Sequence, residues 1–358
     1  MSKPVRMLVL LLALGCVITA CTKGKKTRIA IMTKLEAGSI VGSSEINAAR
    51  LFIEQRGIKN IEIVPVNDNW DPEQSKAALE DIIRQGIQVL ITSHTSTCAL
   101  AIMDRINSAP VFTFVTGATT DKLSGKDDFI FRNVLDVGSE QERIAGYLNA
   151  LPGRSLLIVR DVKNIGYTQP ALAFVKKYLK KEICGSLDVN VDSLDLQALQ
   201  AQIAGLACDE AYLLIGGYRS LAAGAIAQAV KRRFPGATIV FTPWVKSPEL
   251  IEAAGSALRD CVLPSHYPPR EQSLAISRYI ETFHSRFGYS PTFISINVYI
   301  ALGILSEAID AGARTPAEIK QYILKKKTFP NEFVDVSFDE YGDVAIPLYF
   351  VTDIAREY

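Results

Sequence analysis

The sequence predicts an α/β fold of two similar lobes, each a doubly wound parallel sheet, and three observations carry that expectation. Short apolar, β-branched runs alternate with amphipathic stretches, the pattern of buried strands and covering helices. The alternation starts afresh about half-way along the chain. The length of 358 residues matches roughly two domains of about 150 residues.

In chain order, Thr27 to Thr33 reads as a buried strand through Ile29, Ala30 and Ile31. Ser43 to Arg56 has helical spacing of Ile46, Ala49, Leu51, Phe52 and Ile53, with Ser43 or Ser44 available as N-cap. Ile61 to Val66 is the next strand, and Asp71-Pro72 opens a helix to about Gln85, with proline in the tolerated first turn. Strands at Val89 to Thr92 and Val111 to Val115 flank a helix at Thr97 to Asn107. The second run has strands at Ser155 to Val159, Leu187 to Val191, Glu210 to Ile215 and Thr238 to Phe241. Its helices are expected at Tyr167 to Glu182, Asp195 to Ala207 and Arg219 to Arg233. Three more helices follow, at Gln272 to Phe287, Phe293 to Ala311 and Pro316 to Lys325. A short β ending (Phe333 to Phe338, Leu348 to Ile354) is split by the turn Asp339 to Asp343.

The first twenty residues read as an address. Lys3 and Arg6 precede an apolar run, Met7 to Ala20, that is too short to span a bilayer, which needs about 20 residues. A basic start, a short apolar middle and a small residue at the end make a secretory signal. Ile18-Thr19-Ala20-Cys21 resembles the bacterial lipobox, and Ala13-Leu14-Gly15-Cys16 is a poorer match because Leu14 is bulky. Cys21 is therefore the expected lipidated N-terminus and residues 21–26 a solvated tether, since acyl chains hold a protein to a membrane. No later stretch approaches a membrane span, so the body is expected in a periplasmic or cell-surface space, lipid-anchored to a bacterial membrane.

Charge and composition exclude several classes. With 39 Lys plus Arg against 38 Asp plus Glu, the net charge of +1 argues against a nucleic-acid partner, which needs clustered basic charge. A content of 48% hydrophobic residues excludes disorder. Six Cys without CxxC spacing disfavour a zinc module, and neither a metal nor a cofactor is expected. Removal of the signal leaves 338 residues with 37 basic and 38 acidic side chains. Cys184 and Cys208 each fall near a helix end just before a second-half strand, so they are either a disulfide, favoured outside the cytoplasm, or two buried thiols.

Ligands of open parallel sheets bind beyond the carboxyl ends of the strands. Ser93-His94-Thr95-Ser96-Thr97 leads into a helix, where hydroxyls and free amides suit an anionic or polar group, or simply cap the helix. Thr116-Gly117-Ala118-Thr119-Thr120 lets a ligand approach the backbone. In the second half the corresponding loops carry Ile165-Gly166-Tyr167, Gly216-Gly217-Tyr218-Arg219 and Pro243-Trp244, whose aromatics either stack on a ligand or pack on a neighbouring loop. No catalytic residue is expected. His94 beside Ser96 or Cys98 lacks a G-x-S-x-G elbow, and no Walker loop or complete G-x-G-x-x-G occurs.

Several motifs, in order, carry a family resemblance from about Lys26 to the C-terminus. They are Asn67-Asp68-Asn69-Trp70-Asp71-Pro72, the loop ending at Ser96, Gly117-Ala118-Thr119 before Leu123, and Phe131-Arg132-Asn133. Gly216-Gly217-Tyr218, Phe287-Gly288-Tyr289-Ser290-Pro291 and Val336 to Asp343 complete the set. The chain resembles type I periplasmic binding proteins of the branched-chain amino-acid and amide branch, which serve ABC importers. The resemblance implies two lobes closing on a small molecule, with three crossovers near Asp136 to Glu140, His266 to Arg270 and Asn331 to Val336. The lobes would then comprise residues 27–136 with 268–332, and 137–267 with 333–358.

By the same resemblance Ser96, Thr97, Gly117 and Thr119 would hold a carboxylate and amine from the first lobe, and Tyr218 would contact the ligand from the second. Ile165, with Tyr167 as a substitute, stands where relatives place an aromatic, and Trp244 stands at their acidic position. The first-lobe turn is altered to Thr33-Lys34-Leu35-Glu36. Unless Glu36 or another acid reaches in, these departures favour an organic or aromatic carboxylate or an amide over an ordinary amino acid. The implied function is capture of a small polar organic ligand by a monomer that delivers it to an ABC permease. The alternative is a ligand-sensing lipoprotein of the same fold that acts on a membrane receptor or cell-wall enzyme.

Overall fold

Residues 26–36 and 39–358 are described by the computed structural model. The expected signal peptide, Cys21 and the tether up to Lys25 lie outside them. Buried runs form the first sheet: β1 (Thr27–Thr33), β2 (Ile61–Asn67), β3 (Val89–Thr92), β4 (Phe112–Val115) and β5 (Ile130–Arg132). Their order is β2-β1-β3-β4-β5, and every pairing is parallel. The connecting helices are α1 (Ile40–Arg56), α2 (Pro72–Arg84) and α3 (Ser96–Ser108). Asp71 caps α2 by accepting from the amides of Glu73 and Gln74, with Pro72 behind it, as its sequence signature predicts.

The second sheet follows α4 (Val137–Ala150) and contains β6 (Ser155–Asp161), β7 (Glu182–Val189), β8 (Glu210–Leu214), β9 (Thr238–Val240) and β10 (Cys261–Ser265). Between these strands run α5 (Ile165–Tyr178), α6 (Leu196–Ile203), α7 (Ser220–Arg233) and α8 (Pro248–Ala254). The chain then forms α9 (Leu274–Phe287), α10 (Phe293–Asp310) and α11 (Pro316–Lys326), followed by β11 (Thr328–Phe329), β12 (Val336–Ser337) and β13 (Tyr349–Val351). β13 adds antiparallel to β10, giving the order β13-β10-β9-β8-β6-β7. The expected pair of doubly wound lobes is present.

Three sequence expectations are corrected. The helix expected at Tyr167 to Glu182 stops at Tyr178, and β7 begins at Glu182. β7 is an edge strand with exposed Glu182, Ser186 and Asp188, so it lacks the apolar run of a central strand. Helix α1 begins at Ile40, and Ser44 is no cap, because its Oγ accepts from the Thr292 amide at 2.9 Å. The third correction concerns the crossover expected at Asn331 to Val336. Phe333, Val336, Phe338, Val344 and Ile346 all pack in the first-lobe core, and the chain joins the second sheet only at Tyr349. The turn-rich stretch is a bend within the first lobe, and the passage falls between Ile346 and Tyr349.

Helix α10 is long and apolar enough to cross a membrane, against the expectation that no such stretch exists. It is a core helix: Val298, Leu302 and Leu305 are fully buried in the first lobe beside α1, and this is why it is apolar on nearly every face. Cys184 and Cys208 are joined, with Cα atoms 5.9 Å apart, tying edge strand β7 to the segment before β8. Replacing both by Ala is expected to lower unfolding free energy by about 3 kcal/mol, from the entropy of the loop they close. Denaturant titration checks this, and a loss below about 1 kcal/mol would show that the edge is held without the bridge.

Candidate functional site

Both sheets reverse their winding at a switch point: between β1 and β3 in the first, and between β6 and β8 in the second. Loops beyond those carboxyl ends diverge and leave a crevice. Here the two crevices face each other. The first contributes the segments after β1 and β3, and the second those after β6 and β8. The lobes touch where the Gly166 amide donates to Thr97 Oγ1 at 3.3 Å and Thr97 Oγ1 donates to Asn164 Oδ1 at 3.4 Å. Apolar side chains of both lobes then form one cluster that includes Val41, Phe293, Tyr167 and Trp244.

A cavity of about 330 Å³ opens beside this cluster. Lys34, Val41 and Trp70 line it from the first lobe, and Tyr218, Arg219 and Glu249 from the second. Lys34 pairs with Glu36 at 3.3 Å, and Arg219 with Asp192 at 2.9 Å. Trp70 and Tyr218 have left-handed backbones, φ 54° and 60°, as does Asn69 at 50°. Such conformations cost a bulky residue about 1–3 kcal/mol and persist only where the surroundings enforce them. Around Trp70 the enforcement is visible. Its amide donates to Asp68 Oδ1 at 3.1 Å, while the Asp71 amide donates to the Asp68 carbonyl at 2.9 Å.

Of the eight expected ligand residues, only Tyr218 lines this cavity. Ser96 Oγ accepts from the amides of Thr119 and Thr120, each at 3.3 Å, so it ties the Gly117 loop to α3. Gly117 lies so close to β3 that a Cβ there would sit 2.4 Å from the Ser93 carbonyl oxygen. The Thr119 carbonyl accepts from the Val137 amide at 2.7 Å, at the first crossover. Tyr167 donates its hydroxyl to Glu140 at 2.7 Å and is fully enclosed; burial first, then the Glu140 charge, pushes its pKa well up. Trp244 sits between Tyr167, His266 and Phe293, with ring centroids 5.3–6.3 Å away. Ile165 is 51% exposed at the rim. The loop hydroxyls and most of the aromatics are therefore engaged within the protein. Apart from Tyr218 and Glu36, the acid the sequence offered as one that could reach in, the cavity is lined by residues without an expected ligand role.

A profile of the family described as "Periplasmic binding protein" matches residues 30–354. The chain belongs to that family. Solved structures share the fold of this periplasmic binding protein. LivJ from Streptococcus pneumoniae, solved with isoleucine, is 18% identical over 91% of this chain and 95% of its own, with a TM-score of 0.80. LivK from Thermotoga maritima, a leucine binding protein, is 18% identical over 90% and 94%, with a TM-score of 0.78. An ABC-transporter solute-binding protein from R. palustris, solved with 4-hydroxybenzoate, is 15% identical over 91% and 92%, with a TM-score of 0.81. No curated protein sequence matches the chain. The fold is that of type I periplasmic binding proteins, and the family implies an extracytoplasmic location.

The wall of this periplasmic binding protein contains a buried polar cluster. His94 Nδ1 lies 2.8 Å from Asp68 Oδ2, and Ser75 Oγ donates to the same oxygen at 2.8 Å. Burial pushes the Asp68 carboxyl up, but the bond and charge of His94, with the Trp70 amide and Ser75, outweigh it and hold it below its ordinary value. Neither Ser96 nor Cys98 is hydrogen-bonded to His94: Ser96 serves the Thr119 and Thr120 amides, and Cys98 Sγ takes the Thr95 hydroxyl at 3.4 Å.

Glu45, on α1, accepts from Ser93 Oγ at 2.6 Å and is fully buried. Burial raises its pKa to about 8, against the lowering bonds from Ser93 and Thr33, with the Asp68 charge raising it further. The folded protein thus holds this proton more tightly than the unfolded chain, whose value is 4.5. Its stabilising contribution is complete below that value and is lost as pH rises toward about 8. Glu45→Gln is expected to flatten this dependence, gaining on the wild type by roughly 3 kcal/mol between about pH 5 and 8. Denaturant titrations across that range check it, and parallel pH profiles for the two proteins would refute it.

Several cavity residues escaped the sequence reading. Lys34 and Arg219 stand inside loops named from the sequence but without a ligand role there, Val41 lies just before a predicted helix, and Trp70 belongs only to a family motif. Glu249 carried no signal at all. Position alone points to both, since they follow β2 and β9 on the crevice side.

Proposed function

We propose that this protein is the solute-capturing lipoprotein of an ABC importer, holding a small organic molecule between its lobes. One observation carries the reading: a cavity of about 330 Å³ walled by both lobes, within the range of small-molecule sites. A ligand favours the closed arrangement only through contacts it makes there and not in the open one. A cavity faced by Trp70 and Val41 on one side and Tyr218 and Glu249 on the other supplies such contacts. The neighbours bound to isoleucine and 4-hydroxybenzoate support a ligand of that size, an amino acid, an amide or an organic carboxylate. In this reading Ser96, Thr97, Gly117 and Thr119 shape the first-lobe wall and Ile165, Tyr167 and Trp244 the second, with Tyr218 touching the ligand. Cys21 carries the lipid, the protein acts as a monomer, and a membrane permease receives the solute.

The test is calorimetric titration of the purified protein with apolar amino acids, their amides and the matching carboxylates. Saturable one-to-one binding is expected, together with loss of uptake of the same solute on gene deletion. Binding without any change in uptake would sink the importer assignment. Cys21→Ser is expected to move the protein from the detergent phase to the aqueous phase in a phase-separation assay, and unchanged partition would sink the anchor.

A further inference from the structure

The segment after β13 lies between the cavity wall and the second passage of the chain from lobe to lobe. β10 ends at Ser265 in the second sheet, and Tyr267 already packs in the first-lobe core, so the chain crosses between them. Glu357 is only 3% exposed, and its two oxygens serve opposite sides of this crossing. Oε2 lies 2.5 Å from Nζ of Lys246, which is itself 6% exposed. Oε1 accepts from the amide of Arg270, beyond the crossing, at 3.0 Å.

Neighbouring groups extend the bracket. Lys246 Nζ donates to Ser265 Oγ at 3.1 Å, and the same oxygen accepts from the Tyr267 amide at 3.2 Å. The Tyr267 hydroxyl in turn donates to Asn297 Oδ1 on α10, in the first lobe. Tyr358 donates its hydroxyl to the Lys246 carbonyl at 3.0 Å, while its own main-chain oxygen accepts from Arg270 Nη1 at 2.8 Å. Glu357 and Tyr358 thus each hold Lys246 and Arg270 at once. Lys246 leads into Ser247, whose Oγ accepts from the Leu250 amide at 3.3 Å and caps α8, and Glu249 in that first turn lines the cavity.

A buried ion pair is a poor device for stability alone. Its desolvation cost is only partly returned, so an apolar pair of similar volume often serves as well or better. Burial pushes the Lys246 ammonium down, against the charge and bond of Glu357 that hold it up. What the charged pair adds is direction, because each end is fixed by hydrogen bonds to partners that an apolar side chain cannot engage.

We propose that Glu357 is a positioning residue: through Lys246 and Arg270 it fixes the α8 end of the cavity wall relative to the first lobe, so that solute affinity depends on a side chain that does not line the cavity. This rests on the solute-binding reading above and adds a control of the same site from behind its wall.

The test compares Glu357→Gln with the double variant Lys246→Met/Glu357→Leu in the full chain. Glu357→Gln leaves the buried ammonium unmatched and is expected to lower the denaturation midpoint, whereas the double variant removes both charges and is expected to restore it. Restored stability is not expected to restore position. In hydrogen exchange, residues 243–250 and 266–272 of the double variant are expected to exchange at least about tenfold faster than in the wild type, with β6 and β8 unchanged. In calorimetry with isoleucine and 4-hydroxybenzoate, whichever binds the wild type is expected to bind the double variant at least about tenfold more weakly. A pair that served the fold alone would give back affinity together with stability. Wild-type exchange in both segments, exchange quickened equally in β6 and β8, or full affinity in the double variant overturns the proposal. If neither compound binds the wild type, faster exchange confined to the two segments still supports the bracket and wild-type exchange overturns it, so its fate is separate from that of the solute-binding reading.

Discussion

Gly166→Val is expected to weaken ligand binding roughly 10- to 100-fold while leaving the unfolding free energy within about 1 kcal/mol of the wild type. A Cβ at Gly166 would sit 2.9 Å from the Thr97 amide nitrogen and Oγ1, and 3.2 Å from the Ser96 carbonyl carbon. All three atoms belong to the opposite lobe, and two are backbone, which cannot swing aside. A branched side chain there holds the lobes apart without disturbing either core, because Gly166 lies at the second position of α5. Apparent affinity falls by the fraction of molecules able to close, so an overpacking cost of about 1–3 kcal/mol becomes roughly that loss in Kd. Titration calorimetry gives the affinity, and small-angle scattering shows whether added ligand still compacts the protein. Full affinity with normal compaction would mean that the Thr97–Gly166 contact is no part of the liganded state.

The strands were legible because a parallel sheet covered on both faces needs uninterrupted apolar runs, and β1, β3 and β4 have them. Where burial is one-sided the sequence misled. Only the second half of β7, at the sheet edge, reads as a strand, from Leu187, while its first residue Glu182 reads as the end of a helix. The crossover that the family resemblance implies at Asn331 to Val336 proves to be a bend within the first lobe. The site was legible by position and not by residue. Ser96 and Tyr167 have the chemistry of ligand groups, yet their hydroxyls are consumed by the Thr119 and Thr120 amides and by Glu140. Nothing in a sequence shows whether a hydroxyl is already spent. Nor does it show that Trp70 and Tyr218 adopt left-handed backbones, which tertiary contacts impose on residues that would otherwise avoid them.

Arg132→Ala is expected to cost about 3–5 kcal/mol, a large part of the roughly 5–15 kcal/mol that holds a typical domain folded. Arg132 is only 1% exposed. Its Nε donates to Asp343 Oδ1 at 2.7 Å, Nη1 donates to the Thr120 carbonyl at 3.0 Å, and Nη2 reaches Ser124 Oγ. Asp343 also accepts from the Gly125 amide through Oδ2, at 2.9 Å. One guanidinium thus joins β5, the loop after β4 and the turn Asp339 to Asp343. Truncation leaves the Thr120 carbonyl and one Asp343 oxygen without their donor, and an unmatched buried group costs more than the intact pair contributes. Arg132→Lys keeps the charge but not the planar fork, so its loss is expected to fall between that of alanine and zero. The effect should also reach the cleft, because Thr120 and Thr119 supply the amides that position Ser96. Ligand affinity is therefore expected to fall even where Arg132→Ala remains folded. Denaturant titration of Arg132→Ala, Asp343→Ala and the double variant separates the pair from its surroundings. A coupling energy below about 0.5 kcal/mol would show that the two side chains act independently and that the turn is held by its backbone bonds.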